Sequence, residues 1–240
     1  MLKIKNLTII TNDKPILKNI DFEVSPGEIH AITGSKFSGK SALAHAITGH
    51  PDMDIENGSI IWKRKKLNNL TTSERANLGI FITFQHPPEF DEITNWDLFK
   101  ECNTPKPAEI EDLHLKYTGY SDILELGMSH SEKQINAAYM SDSEFKKNEI
   151  LQMLMADPKL IIIDEIEDGL DDEDAARVAA VIKNYVRINK VACIVISRNH
   201  NFLDIVEPTH VHIMSNGEIR VSGGPDLYKR IIEDEYSEFS

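Results

Sequence analysis

The sequence predicts an α/β fold with a largely parallel core sheet, an antiparallel strand layer beside it and a helical insertion. Strands and helices alternate along most of the 240 residues, as a parallel sheet requires. Gly34-Ser35-Lys36-Phe37-Ser38-Gly39-Lys40-Ser41 fits the spacing G-x-x-x-x-G-K-[ST], between an apolar strand pattern over residues 28–33 and a helical run over 41–47. A distant apolar strand, Leu160-Ile161-Ile162-Ile163, ends in Asp164-Glu165. The site of such a sheet belongs at the carboxyl ends of its strands.

The loop comes first because its chemistry is specific. A strand, a tight loop and a helix N-terminus aim backbone N–H groups and the positive end of a helix dipole at one anion. In the phosphate loop of nucleoside triphosphate-binding proteins the Lys reaches the terminal phosphates and the Ser hydroxyl holds Mg2+, roles that fall here to Lys40 and Ser41. Candidate nucleotide contacts are therefore Gly34, Ser35, Lys36, Phe37, Ser38, Gly39, Lys40, Ser41 and Ala42.

Residues 2–10 and 16–24 read as strands around a turn at Asn12 to Pro15, and residues 58–62 add another strand, which together make the antiparallel layer. Thr71-Thr72-Ser73-Glu74 has capping-box spacing and starts a helix through Leu78. Residues 79–84 form a buried strand that delivers Gln85. Helical segments follow over 96–101 and 108–116, and Ser141-Asp142-Ser143-Glu144 caps a helix to 155. The last part holds the Asp-Glu strand, a helix over 174–187, a β-branched strand over 191–196, a hairpin through Asn216-Gly217 and a short acidic helix. The expected division is 1–86 for the first half of the core with its antiparallel layer, 87–156 for a helical subdomain and 157–240 for the second half.

A phosphate loop and an apolar strand ending in Asp-Glu are far more specific together than apart. Asp164 is placed to hold Mg2+ opposite Ser41, and Glu165 to orient or deprotonate an attacking water. Gln85 is placed to bridge Mg2+ and that nucleophile. The acidic run from Asp164 to Asp174 does not fit a calcium loop, because Ile166 occupies a ligand position. His210 and His212 share a strand face and read as ordinary strand positions. Cys102 and Cys193 are too far apart for a metal motif and indicate no disulfide framework, which suits a reducing cytosol. The net charge of −13 argues against non-specific nucleic-acid or anionic-membrane binding. No apolar run approaches a membrane span, and residues 1–5 carry no signal-peptide pattern. The expectation is a cytoplasmic protein without membrane insertion.

Beyond single motifs, the order of elements resembles the ATP-binding-cassette ATPases. Within them it is most similar to the SufC family, the ATPases of the SUF iron–sulfur cluster assembly machinery. The closer likeness lies in Gly49-His50-Pro51, Glu74-Arg75-Ala76, Phe84-Gln85-His86-Pro87-Pro88-Glu89, Asn148-Glu149-Ile150-Leu151-Gln152, Gly169-Leu170-Asp171 and Ser222-Gly223-Gly224. The resemblance implies a Mg-ATP-driven partner of a SufB/SufD-type scaffold, with two ATPase subunits closing head to tail. ATP would lie between one phosphate loop and the signature segment of the other subunit. It also places Ser141 and Asp171 among the nucleotide contacts.

Two departures bear on turnover. The family signature reads Ser-Gly-Gly-Glu-Lys-Lys, where this chain has Ser141-Asp142-Ser143-Glu144-Phe145-Lys146. Asp142 suits the helix dipole by up to about 1 kcal/mol. Against a γ-phosphate about 5 Å away at an effective dielectric near 20, its repulsion is roughly 3 kcal/mol per unit charge. Arg198 stands where the family has its switch histidine, with His200 two residues later. Arginine there can neutralise developing phosphate charge. Phe37 and Ala42 replace a glycine and a threonine. No aromatic is available near residues 10–14 to stack on adenine. Alternatives are a hydrolysis-impaired nucleotide-binding subunit of the same assembly and the ATPase subunit of a membrane transporter.

Overall fold

The computed structural model describes residues 1–11, 14–84, 90–103, 106, 109–136 and 138–228, without the side chain of residue 91. Gln85, the stretch 86–89 and nearly all of the expected acidic terminal helix lie outside the described residues.

The strands that read as uninterrupted apolar runs are the ones buried on both faces, as parallel sheets demand. β3 (Ile29–Thr33), β9 (Leu160–Asp164) and β10 (Ala192–Ile196) are buried at every position. β6 (Ile80–Ile82), β11 (His210–Ser215) and β12 (Glu218–Gly223) complete a six-stranded sheet in the order β12-β11-β3-β10-β9-β6. All its pairings are parallel except β11 with β12. A second, antiparallel sheet runs β2-β1-β4-β5, from Lys14–Val24, Leu2–Thr11, Asp54–Trp62 and Lys65–Lys66.

Alternate residues of the central strands feed two cores. Ile161, Ile163, Cys193, Val195 and Ile213 pack against α5 (Asp142–Ala156), α6 (Asp172–Asn189) and α7 (His200–Val206). Ile32, Ile162, Ile194 and Ile196 face the other way, onto α1 (Lys40–Thr48) and the apolar face of the antiparallel sheet. Burial of this kind contributes about 25 cal/mol per Å2 and fixes the loops at the strand ends.

Both expected capping boxes are formed. Thr71 and Glu74 bond reciprocally at the start of α2 (Thr72–Ala76), and Ser141 and Glu144 do so at the start of α5. The insertion differs from a purely helical one. Between α3 (Asn95–Asn103) with α4 (Ile110–Ile123) and the rest of the chain, β7 (Phe90–Thr94) pairs with β8 (Gln134–Ile135). α4 also runs past the expected end at 116 and through Gly119. Buried Tyr117 meets Trp96 and Phe99 edge-on, at ring separations of 5.7 and 5.1 Å. Aromatic packing worth about 0.5–1.5 kcal/mol per pair outweighs the roughly 1 kcal/mol that a helical glycine costs. α7 was not legible as a helix; Asn199 caps it by accepting from the Phe202 N–H at 3.1 Å.

Candidate active site

The Gly34–Ser41 loop crosses the carboxyl end of β3. Gly39 enters α1 at φ 104°, and no side chain caps the helix, so its first N–H groups are left to an anion. Lys40 is buried, and its ammonium donates to the carbonyls of Gly34 at 3.0 Å and Ser35 at 2.9 Å. Burial lowers its pKa, opposed by the charges of Glu165 and Asp164.

The loop is held from below by the β11–β12 turn. Asn216 and Gly217 both take positive φ, the left-handed geometry of a tight hairpin turn. The Gly217 N–H donates to Ser38 O at 3.0 Å, and Lys18 N–H donates to Gly217 O at 2.8 Å. A Cβ on Gly34, at φ 149°, would lie 2.1 Å from Met214 O, so this position admits only glycine. Phe37 adopts φ 65° and is 92% exposed.

Asp164 ends β9 beside this loop. Its N–H donates to Thr83 Oγ1 at 3.0 Å, and its carboxylate hydrogen-bonds the Ser41 hydroxyl. Burial pushes its pKa up to about 6, with the Ser41 bond opposing and the charge of Glu165 adding to the rise. Its Oδ1 is buried without a hydrogen-bond partner. A carboxylate that bonds a hydroxyl and keeps its other oxygen orphaned is a donor set that a hard, oxygen-preferring cation such as Mg2+ takes.

Glu165 follows at φ 46°, its N–H donating to Ile196 O at 2.9 Å. Arg198, expected to face phosphate charge, lies with Nε 3.4 Å from Glu165 Oε1. Ser197 donates its hydroxyl to buried Glu167, whose carboxyl burial raises to about 7. Glu165 and Arg198 line a cleft of about 670 Å3 with Pro15, Ile16 and Lys18, the loop from Lys36 to Ala42, and Asn216 and Gly217. Pro15 and Ile16 put an apolar surface where no aromatic was found in the sequence.

Ser141 and Asp171 are not brought to this cleft. Each is an exposed N-cap, of α5 and α6 respectively. Asp142 is exposed at the start of α5 and has no ion-pair partner among the described residues. Sequence reasoning passed over Glu149 and Lys146. Glu149 accepts from the Phe84 N–H at 2.7 Å, and Lys146 donates to Phe84 O at 3.3 Å, tying α5 to the residue before Gln85. Burial raises Glu149 to about 7, with the Phe84 N–H opposing. Both are buried polar residues of α5, and their contacts with Phe84, just beyond β6, account for them.

Residues 17–167 match the family model described as ABC transporter. The chain belongs to the ATP-binding-cassette ATPases, in their SufC-like group. Curated relatives align with this ATPase over nearly its whole length. A probable ATP-dependent transporter of Synechocystis is 36% identical, covering 98% of this chain and 94% of its own. The probable ATP-dependent transporter SufC of Escherichia coli is 34% identical, covering 98% and 97%. Among solved structures, an ATP-binding cassette of an ABC transporter in its ADP conformation superposes with a TM-score of 0.74 at 26% identity, over 98% of this chain and 95% of that one. The cassette is thus a nucleotide-binding ATPase fold.

Proposed function

We propose that this ATPase hydrolyses Mg-ATP to drive iron–sulfur cluster assembly on a SufB/SufD-type scaffold. The observation that carries the chemistry is that Lys40, Ser41 and Glu165 line one cleft, with the Asp164 carboxylate hydrogen-bonded to Ser41 and its Oδ1 left orphaned. Ser41 and Asp164 would hold Mg2+, which supplies charge neutralisation on the phosphates when bound. Lys40 exchanges its loop carbonyls for phosphate oxygens. Glu165 orients the attacking water. The loop N–H groups and the α1 N-terminus stabilise the phosphate charge. The scaffold role rests on the SufC-like relatives and on the chain's lack of a clustered cysteine set, so that cluster ligands would belong to the partner.

The second half of each site would come from another copy, closing head to tail and presenting Ser141 and the α5 N-terminus to ATP. Exposed placement of that N-cap, away from the chain's own cleft, supports this arrangement. The three-part division into 1–86, 87–156 and 157–240 follows the same logic, with the middle part carrying the segment that faces the other copy. No helix among the described residues is long and apolar enough to cross a membrane.

A hydrolysis-impaired subunit is the second reading, favoured by the Arg198–Glu165 pair and by Asp142. Magnitudes favour the first. A half-exposed pair such as Arg198–Glu165 is worth about 1 kcal/mol or less. A charged hydrogen bond from Arg198 to phosphate is worth about 1.5–3 kcal/mol, so ATP can draw Arg198 off and release Glu165. The test is ATP turnover by the purified chain with and without a SufB/SufD-type scaffold, beside Lys40→Ala and Glu165→Gln. Scaffold-stimulated turnover that both variants lose is expected. Full activity in either variant would remove the catalytic assignment, and stimulation by a membrane permease instead would point to a transporter ATPase.

A further inference from the structure

We propose that Glu28, His30 and His210 form a binding site for a divalent first-row transition-metal ion, at the end of the central sheet opposite the nucleotide cleft. β3 and β11 run parallel with His30 directly across from His210, and Glu28 immediately precedes β3. One ligand atom from each of the three residues lies within 4.8 Å of the other two. Glu28 Oε2 and His30 Nε2 are 3.2 Å apart, close to the roughly 3.4 Å edge of a tetrahedron with bonds near 2.05 Å. His210 is exposed, with its ring stacked on that of His30 at a centroid separation of 4.3 Å. Two imidazoles and one carboxylate suit zinc and its neighbours, with water completing the shell.

Hydrogen bonding already fixes which nitrogens face the site. Thr209 Oγ1 donates its single proton to Ile29 O at 2.9 Å and accepts from Ile29 N–H at 3.2 Å. Its 3.0 Å contact with His210 Nδ1 must then be an N–H donated by the ring, which leaves the His210 Nε2 lone pair free.

His30 is supported from behind by a relay. Its Nδ1 is 2.9 Å from His212 Nε2, and His212 Nδ1 is 2.8 Å from Ser222 Oγ. With a metal on His30 Nε2, His30 Nδ1–H donates to His212 and His212 Nδ1–H donates to Ser222. Without one, the protons run the other way, from Ser222 through both rings, and His30 Nε2–H donates to Glu28. The two states carry the same number of protons, so the metal replaces a ring proton by tautomer exchange alone. A ligating histidine whose other nitrogen donates to a fixed acceptor is the usual support of a metal site.

From His30 to Gly34 is four strand residues, about 13 Å, so the site is separate from the Mg-ATP cleft. The test is titration of the untagged, nucleotide-free, chelator-washed full chain with Co2+, read by visible absorption, and with Zn2+, read by Tm. One equivalent of Co2+ should give the intense bands of a low-coordinate site, and Zn2+ should displace it and raise Tm. His210→Ala, at an exposed position, should weaken Co2+ at least tenfold and abolish the Zn2+ shift. His50→Ala, on a separate exposed histidine, should change neither. The proposal is overturned by absent Co2+ bands, by bands that persist unchanged in His210→Ala, or by bands lost in His50→Ala.

Discussion

Arg198 Nε lies 3.4 Å from Glu165 Oε1, so the residue at the switch position rests on the carboxylate expected to act on water. The pair is part-exposed, and a bound triphosphate offers Arg198 a stronger partner. Arg198→Ala should therefore lower kcat/KM for ATP by about tenfold, one charged hydrogen bond's worth. Steady-state kinetics decide the matter. A rise in turnover would instead show that Arg198 restrains Glu165.

Asp142 stands exposed at the start of α5 with no cation partner among the described residues. Its repulsion toward an incoming γ-phosphate is roughly 3 kcal/mol per unit charge. Asp142→Gly should strengthen ATP-dependent self-association of a Glu165→Gln background by up to about a hundredfold, measured by sedimentation. The cost to the monomer is about 1 kcal/mol, from the lost dipole interaction and the weaker helix propensity of glycine. An unchanged association constant would place Asp142 away from the phosphate.

Glu149 holds its proton in the folded chain up to about pH 7, because burial disfavours the carboxylate. The unfolded chain releases that proton near its ordinary value of 4.5, so between about pH 4.5 and 7 the folded state binds more protons. Stability contributed at this position therefore falls as pH rises through that window. Glu149→Gln keeps an acceptor for the Phe84 N–H and removes the ionisation. Its Tm relative to the parent should climb from pH 4.5 to 7 and then level off. A flat difference across that range would mean Glu149 is ionised throughout.

Phe37 occupies the left-handed region with its ring almost wholly in solvent. A non-glycine residue there costs roughly 1–2 kcal/mol. Phe37→Gly should raise stability in denaturant titrations by about 1 kcal/mol. A loss would show that the ring contributes packing to the loop.

How much of this was legible follows from which forces act locally. The phosphate loop, both capping boxes and the Asn216-Gly217 hairpin are short-range devices, in which residues within a few positions satisfy one another's backbone groups, and they read directly from spacing. The buried strands read as apolar runs because both of their faces are covered. The β7–β8 pair did not, since two short strands far apart in sequence declare themselves only through each other. The extension of α4 through Gly119 was hidden for the same reason, its cost being offset by Tyr117 against rings from α3.

The sequence by itself determined the chemistry available: an anion-binding loop, a lysine, a hydroxyl and two acids, in the order of an ATP-binding-cassette ATPase of the SufC-like group. Only the tertiary structure decided their relations, because these depend on strand order and register rather than spacing. It set the Asn216-Gly217 turn beneath the loop, Glu149 against Phe84, Arg198 on Glu165, and Glu28 and His30 beside His210. The loop names the ligand from a contiguous stretch of chain. The partners that govern its use come from strands and helices that meet only when the two cores close.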